Sequence, residues 1–172
     1  MSVAGLRDLV LGVVIVVAGE PGANSCATTT ATYVSLHPPM VCVPLRPASR
    51  TARLIAETGR FSLSVLTVGQ ADLAERAGHA GASLDKVTEI GANSELSPSV
   101  PGGPPGIGGS AAVLWCALRD VVTAGDHSVF FGEVTASRGQ DRPGDALLVR
   151  HHRRYLATGE PVTSPAPEGY PI

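Results

Sequence analysis

AAVLWCALRDVVTAGDHSVFFGEVTAS, residues 111–137, decides the fold. Residues 111–123 and 128–137 are rich in Val, Leu, Phe and Thr, the side chains that suit a pleated surface. Between them stands Gly125-Asp126, a pair that favours a tight hairpin turn. The stretch therefore reads as two long antiparallel strands.

Further strands follow on both sides. FSLSVLTV at 61–68 alternates apolar and polar residues and predicts a strand with one buried face. Residues 10–17, VLGVVIVV, are dense in β-branched residues and end at Gly19-Glu20-Pro21-Gly22, as a buried strand does before a turn. Residues 24–34 carry Thr28, Thr29, Thr30 and Thr32 and favour an extended chain; Pro38-Pro39 interrupts it, and 40–45 resumes as strand. A last strand is expected at 146–150.

Helices are few. Ser49 is placed to cap one over 50–58, with Gly59 as its end and Leu54 and Ile55 facing the core. A second, shorter one runs over 70–77, with Gly78 as its stop. Residues 80–109, rich in Gly and Pro, read as a surface excursion, a lid or dimer arm. The tally, about seven strands with a pair of short helices and no regular βαβ alternation, suits a closed or half-closed β structure and not a dinucleotide-binding doubly wound sheet. One domain over 1–156 and a proline-rich tail over 157–172 are expected.

Composition excludes several classes. Net charge is −2 and no basic block occurs, so nucleic acid is not an expected partner. The longest apolar run, 10–18, includes Gly12 and falls well short of the about 20 residues that span a membrane, so no membrane association is expected. It also lacks the basic flank of a signal peptide, and the chain reads as cytoplasmic. Cys26, Cys42 and Cys116 are odd in number and far apart, as reduced, mostly buried thiols are. A mean hydropathy of +0.18 is high for a monomer with all its surface in water, and a dimer interface would explain it.

Three constellations could carry chemistry. Thr28-Thr29-Thr30 offers hydroxyl and main-chain hydrogen-bonding groups at close range, although a threonine-rich strand with one exposed face reads the same way. Ser49-Arg50-Thr51 follows a strand at a helix start, where free N–H groups, a positive dipole end and a guanidinium suit a phosphate; a plain cap with a surface arginine is the alternative. Gly125-Asp126-His127 places an imidazole at a strand start, where it either faces a ligand or merely borders a turn. His151 and His152 are adjacent, and on a strand they would point to opposite faces, so no metal site is expected. No Gly-x-Ser-x-Gly or His-Glu-x-x-His occurs to support a hydrolase.

Taken in order, VVIVV at 13–17, ATTTATYVSLHPP at 27–39, SRT at 49–51, FSLSVL at 61–66, AGDHSVFFGEV at 124–134 and LLVRHHRRY at 147–155 resemble the flavin reductase family. That family has the FMN-binding split-barrel fold and includes the reductase components of two-component flavin monooxygenases. The resemblance implies an antiparallel Greek-key split β-barrel with short helical insertions, mainly β, working as a homodimer. It implies hydride transfer from NADH or NADPH to FMN or FAD, with reduced flavin supplied to a monooxygenase. A flavin-binding or electron-carrier protein of the same fold is the alternative, as is one using bound flavin on another substrate. Carried over by residue, the ring and ribityl contacts fall on Ala27, Thr28, Thr29, Thr30 and Ala31, and the phosphate contacts on Ser49, Arg50 and Thr51. Arg76 and Ala77 lie beside the flavin, and His127 stands near the nicotinamide. The chain departs from the family pattern at His37, where Asp is usual, at Ala31 and Ala77, where aromatics are common, and at Arg150, where Tyr is frequent.

Overall fold

The computed structural model describes residues 4–79, 83–92, 94–95, 103–139 and 146–159. Its longest elements are the pair expected first, β9 (Ala112–Ala124) and β10 (His127–Gly139). Ala124 faces His127 across the turn, and Gly125 takes the φ of 64° that the tight connection needs. Register shifts at Phe131/Gly132 and Val134/Ala136 mark bulges, which bend the ribbon and help it coil.

The remaining strands are β1 (Leu11–Gly12), β2 (Val14–Ala18), β3 (Ser25–Thr29), β4 (Thr32–Leu36), β5 (Pro39–Leu45), β6 (Arg60–Val65), β7 (Ser94–Glu95), β8 (Gly106–Ile107), β11 (Leu148–His151) and β12 (Arg154–Ala157). The main sheet runs β3-β2-β6-β9-β10-β5-β4, with β1-β11-β12 and β7-β8 as smaller sheets. Every pairing between these strands is antiparallel. The extended stretch expected at 24–34 breaks at Thr30-Ala31, and the two pieces lie on opposite edges of the main sheet. The Thr29 hydroxyl donates to the Pro44 carbonyl at 2.6 Å, so β3 at one edge of the sheet meets β5, next to the other edge.

Helix α1 (Arg50–Thr58) forms between its expected caps: the Ser49 hydroxyl accepts from the Ala52 amide, and Gly59 closes the helix at a φ of 69°. Helix α2 (Ala71–Gly78) includes Gly78 and ends at His79, one residue beyond its expected stop. Helix α3 (Lys86–Glu89), unexpected, starts where the Asp85 carboxylate accepts from the Thr88 amide. Single 3-10 turns occupy Ala4–Asp8 and Val68–Gln70.

Two cores flank the sheet. Val14, Val16, Phe61, Leu63, Val43 and Phe130 fill one side, with Ile55 of α1 closing it. Val13, Ile15, Val17, Leu66 and Ile107 fill the other, against Ala74 and Ala77 of α2. Alternate residues of β2 therefore serve opposite cores, which is why its run is apolar throughout.

Two expectations are corrected. The stretch 80–109 is not simply a surface excursion: residues 103–107 are buried, and Ile107 is fully enclosed. Those residues cover the serine face of β6, so Ser62 and Ser64 are both buried. Ser62 donates to the Pro105 carbonyl at 2.6 Å and Ser64 accepts from the Ile107 amide at 2.9 Å. The other correction concerns the adjacent histidines. β11 ends at His151, and His152 turns back at a φ of 46°, so the rings do not face opposite ways but meet edge to face at 4.3 Å. At the C-terminal side, Thr158 still pairs with Leu147 through main-chain and hydroxyl bonds, two residues past the expected domain end. The lid or arm reading of 80–82, 93 and 96–102, and the tail reading of 160–172, lie outside the described residues.

Candidate functional site

Strand β3 is the spine of the site. As an edge strand it leaves alternate main-chain groups without a strand partner. Two cavities lie along it. One, of about 360 Å³, is bordered by Ala27, the 49–51 turn, Ala77 and Lys86. The other, of about 270 Å³, is bordered by Thr28, Thr29 and Thr30, with His127 and Arg150 opposite. A third, of about 450 Å³, continues past Thr30 to Ala31, Thr32 and Cys42. The structure thus gathers Ala27 to Ala31, residues 49–51, Ala77 and His127 along one seam. Arg76 is exposed on α2 and borders none of the three.

The first cavity is cationic. Arg46, Arg50, His79 and Lys86 line it, and none of the described residues in its wall is a carboxylate. The start of α1 opens into it, and within that first turn Ala52 donates to the Ser49 hydroxyl and Arg53 to the Ser49 carbonyl. The amides of Arg50 and Thr51 remain as first-turn donors, at the positive end of the helix dipole.

Several side chains expected to face a ligand are held by the fold itself. Arg50 donates to the carbonyls of Ser83 and Ala23 at 2.8 and 3.0 Å, which ties the 83–85 segment to the β2–β3 turn. The Thr51 and Ser25 hydroxyls pair at 3.0 Å within the core. Thr28 donates its hydroxyl to the Ala74 carbonyl of α2 and Thr29 to Pro44. What the two threonines leave toward the cavity is main chain, not hydroxyl.

Lys86 was not legible in the sequence. It is only 9% exposed, and its ammonium donates to the carbonyls of Cys26, Ala77 and His79 at 3.1, 2.7 and 2.5 Å. It thereby joins β3 to the end of α2 and sets a fixed positive charge in the cavity wall. Burial pushes the neighbouring Cys26 thiol up to about 11, an effect that the Lys86 charge partly offsets. The local signal for this element was Asp85 three residues before Thr88, a helix-cap spacing inside the Gly/Pro-rich region.

At the second cavity, His127 Nδ1 lies 2.8 Å from a carboxylate oxygen of Asp126. The hydrogen bond and charge of His127 hold the Asp126 carboxyl below the usual range. With Nδ1 carrying the proton toward Asp126, Nε2 is left for a ligand. Arg150 lies 5.9 Å over the Tyr155 ring, which steadies it at the cavity rim.

The chemistry fits a flavin nucleotide: a cationic pocket of amides and guanidinium groups for phosphate, joined along one strand edge to a cavity of main-chain groups for a polar ring. Known proteins agree. The chain is 29% identical over 151 residues to an NADH-dependent FAD reductase of Streptomyces globisporus, covering 86% of this chain and 81% of that one. It is 31% identical over 151 residues to the reductase subunit of a flavin-dependent monooxygenase from Rhodococcus jostii, covering 87% and 71%. Among solved structures, the FMN-binding protein from Thermus thermophilus with bound p-hydroxybenzaldehyde matches with a TM-score of 0.81 at 28% identity, over 91% of each chain. The family model described as "Flavin reductase like domain" matches residues 6–159, which takes in every strand from β1 to β12 and all of the seam, and the chain belongs to that family.

Proposed function

We propose that this protein is an NAD(P)H-dependent flavin reductase, a cytoplasmic homodimer that moves hydride from NADH or NADPH to FMN or FAD and passes the reduced flavin to a partner monooxygenase. The observation that carries this reading is the continuity of β3, which borders the cationic cavity at one end and the His127 cavity at the other. Bound flavin supplies the hydride acceptor. The chain supplies placement and charge.

The amides of Arg50 and Thr51, with the charges of Arg46, Arg50 and Lys86, would hold the phosphate, while Ser49 fixes the helix start that presents those amides. Ala27 and Ala77 have side chains small enough to leave room beside it. The main-chain N–H groups that the 28–30 stretch turns away from β2 would hydrogen-bond a bound flavin ring and stabilise negative charge there, with Ala31 next along the seam. Arg76, exposed on α2 outside the three cavities, would meet only a part of the cofactor that projects beyond them. His127, its Nδ1 anchored by Asp126, would orient the nicotinamide donor from the wall opposite Thr28, Thr29 and Thr30. No protein nucleophile is required.

Three unpaired cysteines suit a reducing compartment. The dimer is supported by an apolar border at the seam: Val10 and Leu11 share a cavity wall with Ala31 and Thr32, beside Tyr33 and Leu36, which are 72% and 46% exposed on edge strand β4.

The test is oxidation of NADH and NADPH, followed by loss of nicotinamide absorbance, with and without added FMN or FAD. Turnover that depends on flavin supports the proposal. A second reading is favoured by the FMN-binding relative from Thermus thermophilus: tight flavin binding without nicotinamide turnover. Yellow protein inert to both nicotinamides would establish that reading and overturn the first.

A further inference from the structure

We infer that Asp8, His151 and His152 form a binding site for a divalent d-block cation, zinc or nickel, which clasps the N-terminal segment to the β11–β12 hairpin. The cluster lies apart from the three cavities, none of which any of its members borders.

One ligand atom from each residue lies within 4.8 Å of the other two. Zinc bonds of about 2.0–2.2 Å place tetrahedral neighbours roughly 3.3 Å apart, so small side-chain rotations complete the set. His152 Nε2 and the Asp8 carboxylate are already 2.9 Å apart. A cation would replace that direct contact by sitting between them, with the third bond from His151.

The backbone prepares the arrangement. His151 closes β11, and His152 and Arg153 take φ values of 46° and 65°, so the hairpin turn swings the second ring toward the first. The rings stand edge to face at 4.3 Å, and a nitrogen of each lies within 4.8 Å of the other and of an Asp8 oxygen. Asp8 arrives from the other side at the end of the Ala4–Asp8 turn, whose Arg7 carbonyl accepts from the His152 amide at 3.4 Å. Two imidazoles and one carboxylate with open positions suit zinc, nickel or copper more than magnesium or calcium, which prefer all-oxygen sites. The site is partly exposed and carries one negative charge, with Arg7, Arg153 and Arg154 beside it in sequence. Micromolar affinity is therefore expected, not the tighter binding of a closed structural site.

The consequence is a clasp. Leu11 pairs with Arg150 and Gly12 with Val149, so β1 meets β11 through a two-residue ladder just beyond Asp8. A cation at the cluster adds three bonds across that ladder.

The experiment uses the full, tag-free chain freed of metal with a chelator. Zinc is titrated calorimetrically near neutral pH, and cobalt(II) absorption reports coordination directly. Wild-type protein is expected to bind about one zinc per chain with a raised Tm. Loss of an outer-shell partner alone weakens metal sites by about 10–100-fold, so Asp8→Asn, His151→Gln and His152→Gln should each weaken zinc by at least about tenfold. The control His79→Gln alters a different histidine–carboxylate pair, with Glu75, and should leave zinc binding unchanged. Metal-free Tm values of the variants show that they fold. Absence of zinc binding by the wild type overturns the proposal whatever the variants do. So does binding that survives in both His151→Gln and His152→Gln, because the ions would then sit elsewhere.

Discussion

At the residue scale, the two ends of the seam are separable by mutation. His127→Ala removes the imidazole whose Nδ1 is held by Asp126, and leaves the cationic cavity intact. One hydrogen bond is worth about 0.5–1.5 kcal/mol, so nicotinamide kcat/KM should fall by up to about tenfold while flavin affinity holds. Unchanged kcat/KM would remove His127 from the donor side. Lys86→Met acts at the other end. It deletes a charge and leaves the carbonyls of Cys26, Ala77 and His79 without their donor, in a place water barely reaches. Unmet buried acceptors cost about 1–3 kcal/mol each, so urea unfolding should show a loss of at least about 2 kcal/mol. FMN should bind about tenfold more weakly, and riboflavin, which lacks the phosphate, no differently. Equal losses for both ligands would make Lys86 a scaffold residue only. Its role was hidden in the sequence because its first carbonyl partner lies 60 residues away. Ser49, by contrast, was legible because a cap is local chemistry, complete within three residues. Arg50 lies between the two cases: its position at the helix start was readable, whereas its ties to Ala23 and Ser83 were not.

At the scale of elements, the same division recurs. The β9–β10 hairpin and α1 were readable from turn and cap residues, and alternation in FSLSVL gave β6. Alternation also implied that the serine face of β6 met water, and there the inference failed. A polar residue reads as solvent-facing unless a distant segment brings matching donors and acceptors, and residues 105–107 bring them. The glycine in that segment is what permits the cover. A Cβ on Gly106 would stand 2.3 Å from a Val113 methyl, closer than any relaxed contact, and Val113 is buried with little freedom to move. Gly106→Ala should therefore destabilise the fold by about 1–3 kcal/mol through overpacking, measured by urea unfolding. Gly139→Ala, at the end of β10 with nothing within 4 Å of the added methyl, is the control and should be near neutral. Equal stability of the two variants would mean that β8 does not lie flat on β9.

At the scale of the molecule, two cores share one sheet, and each contains a thiol that folding removes from water. Burial raises Cys26 from an ordinary value of 9.0 to about 11 and Cys116 to about 12. Cys42, at the third cavity, is raised in the same sense. The sign of the linkage follows. In the unfolded chain these thiols ionise near pH 9, while in the native fold Cys26 and Cys116 keep their protons well above it. Between those values the native state binds more protons than the unfolded one, so stability falls as pH rises. Below about pH 8 all three are protonated in both states and contribute no slope. Tyr155, raised mainly by burial, adds to the loss at the alkaline end. The urea midpoint should therefore fall from about pH 9 upward, and Cys116→Ala should flatten part of that fall, although its own midpoint starts lower because a buried side chain is shortened. A wild-type midpoint that stays level through this range would mean that both thiols are reached by solvent, and that the cores on the two sides of the sheet are looser than the packing around Phe61 and Ile15 requires.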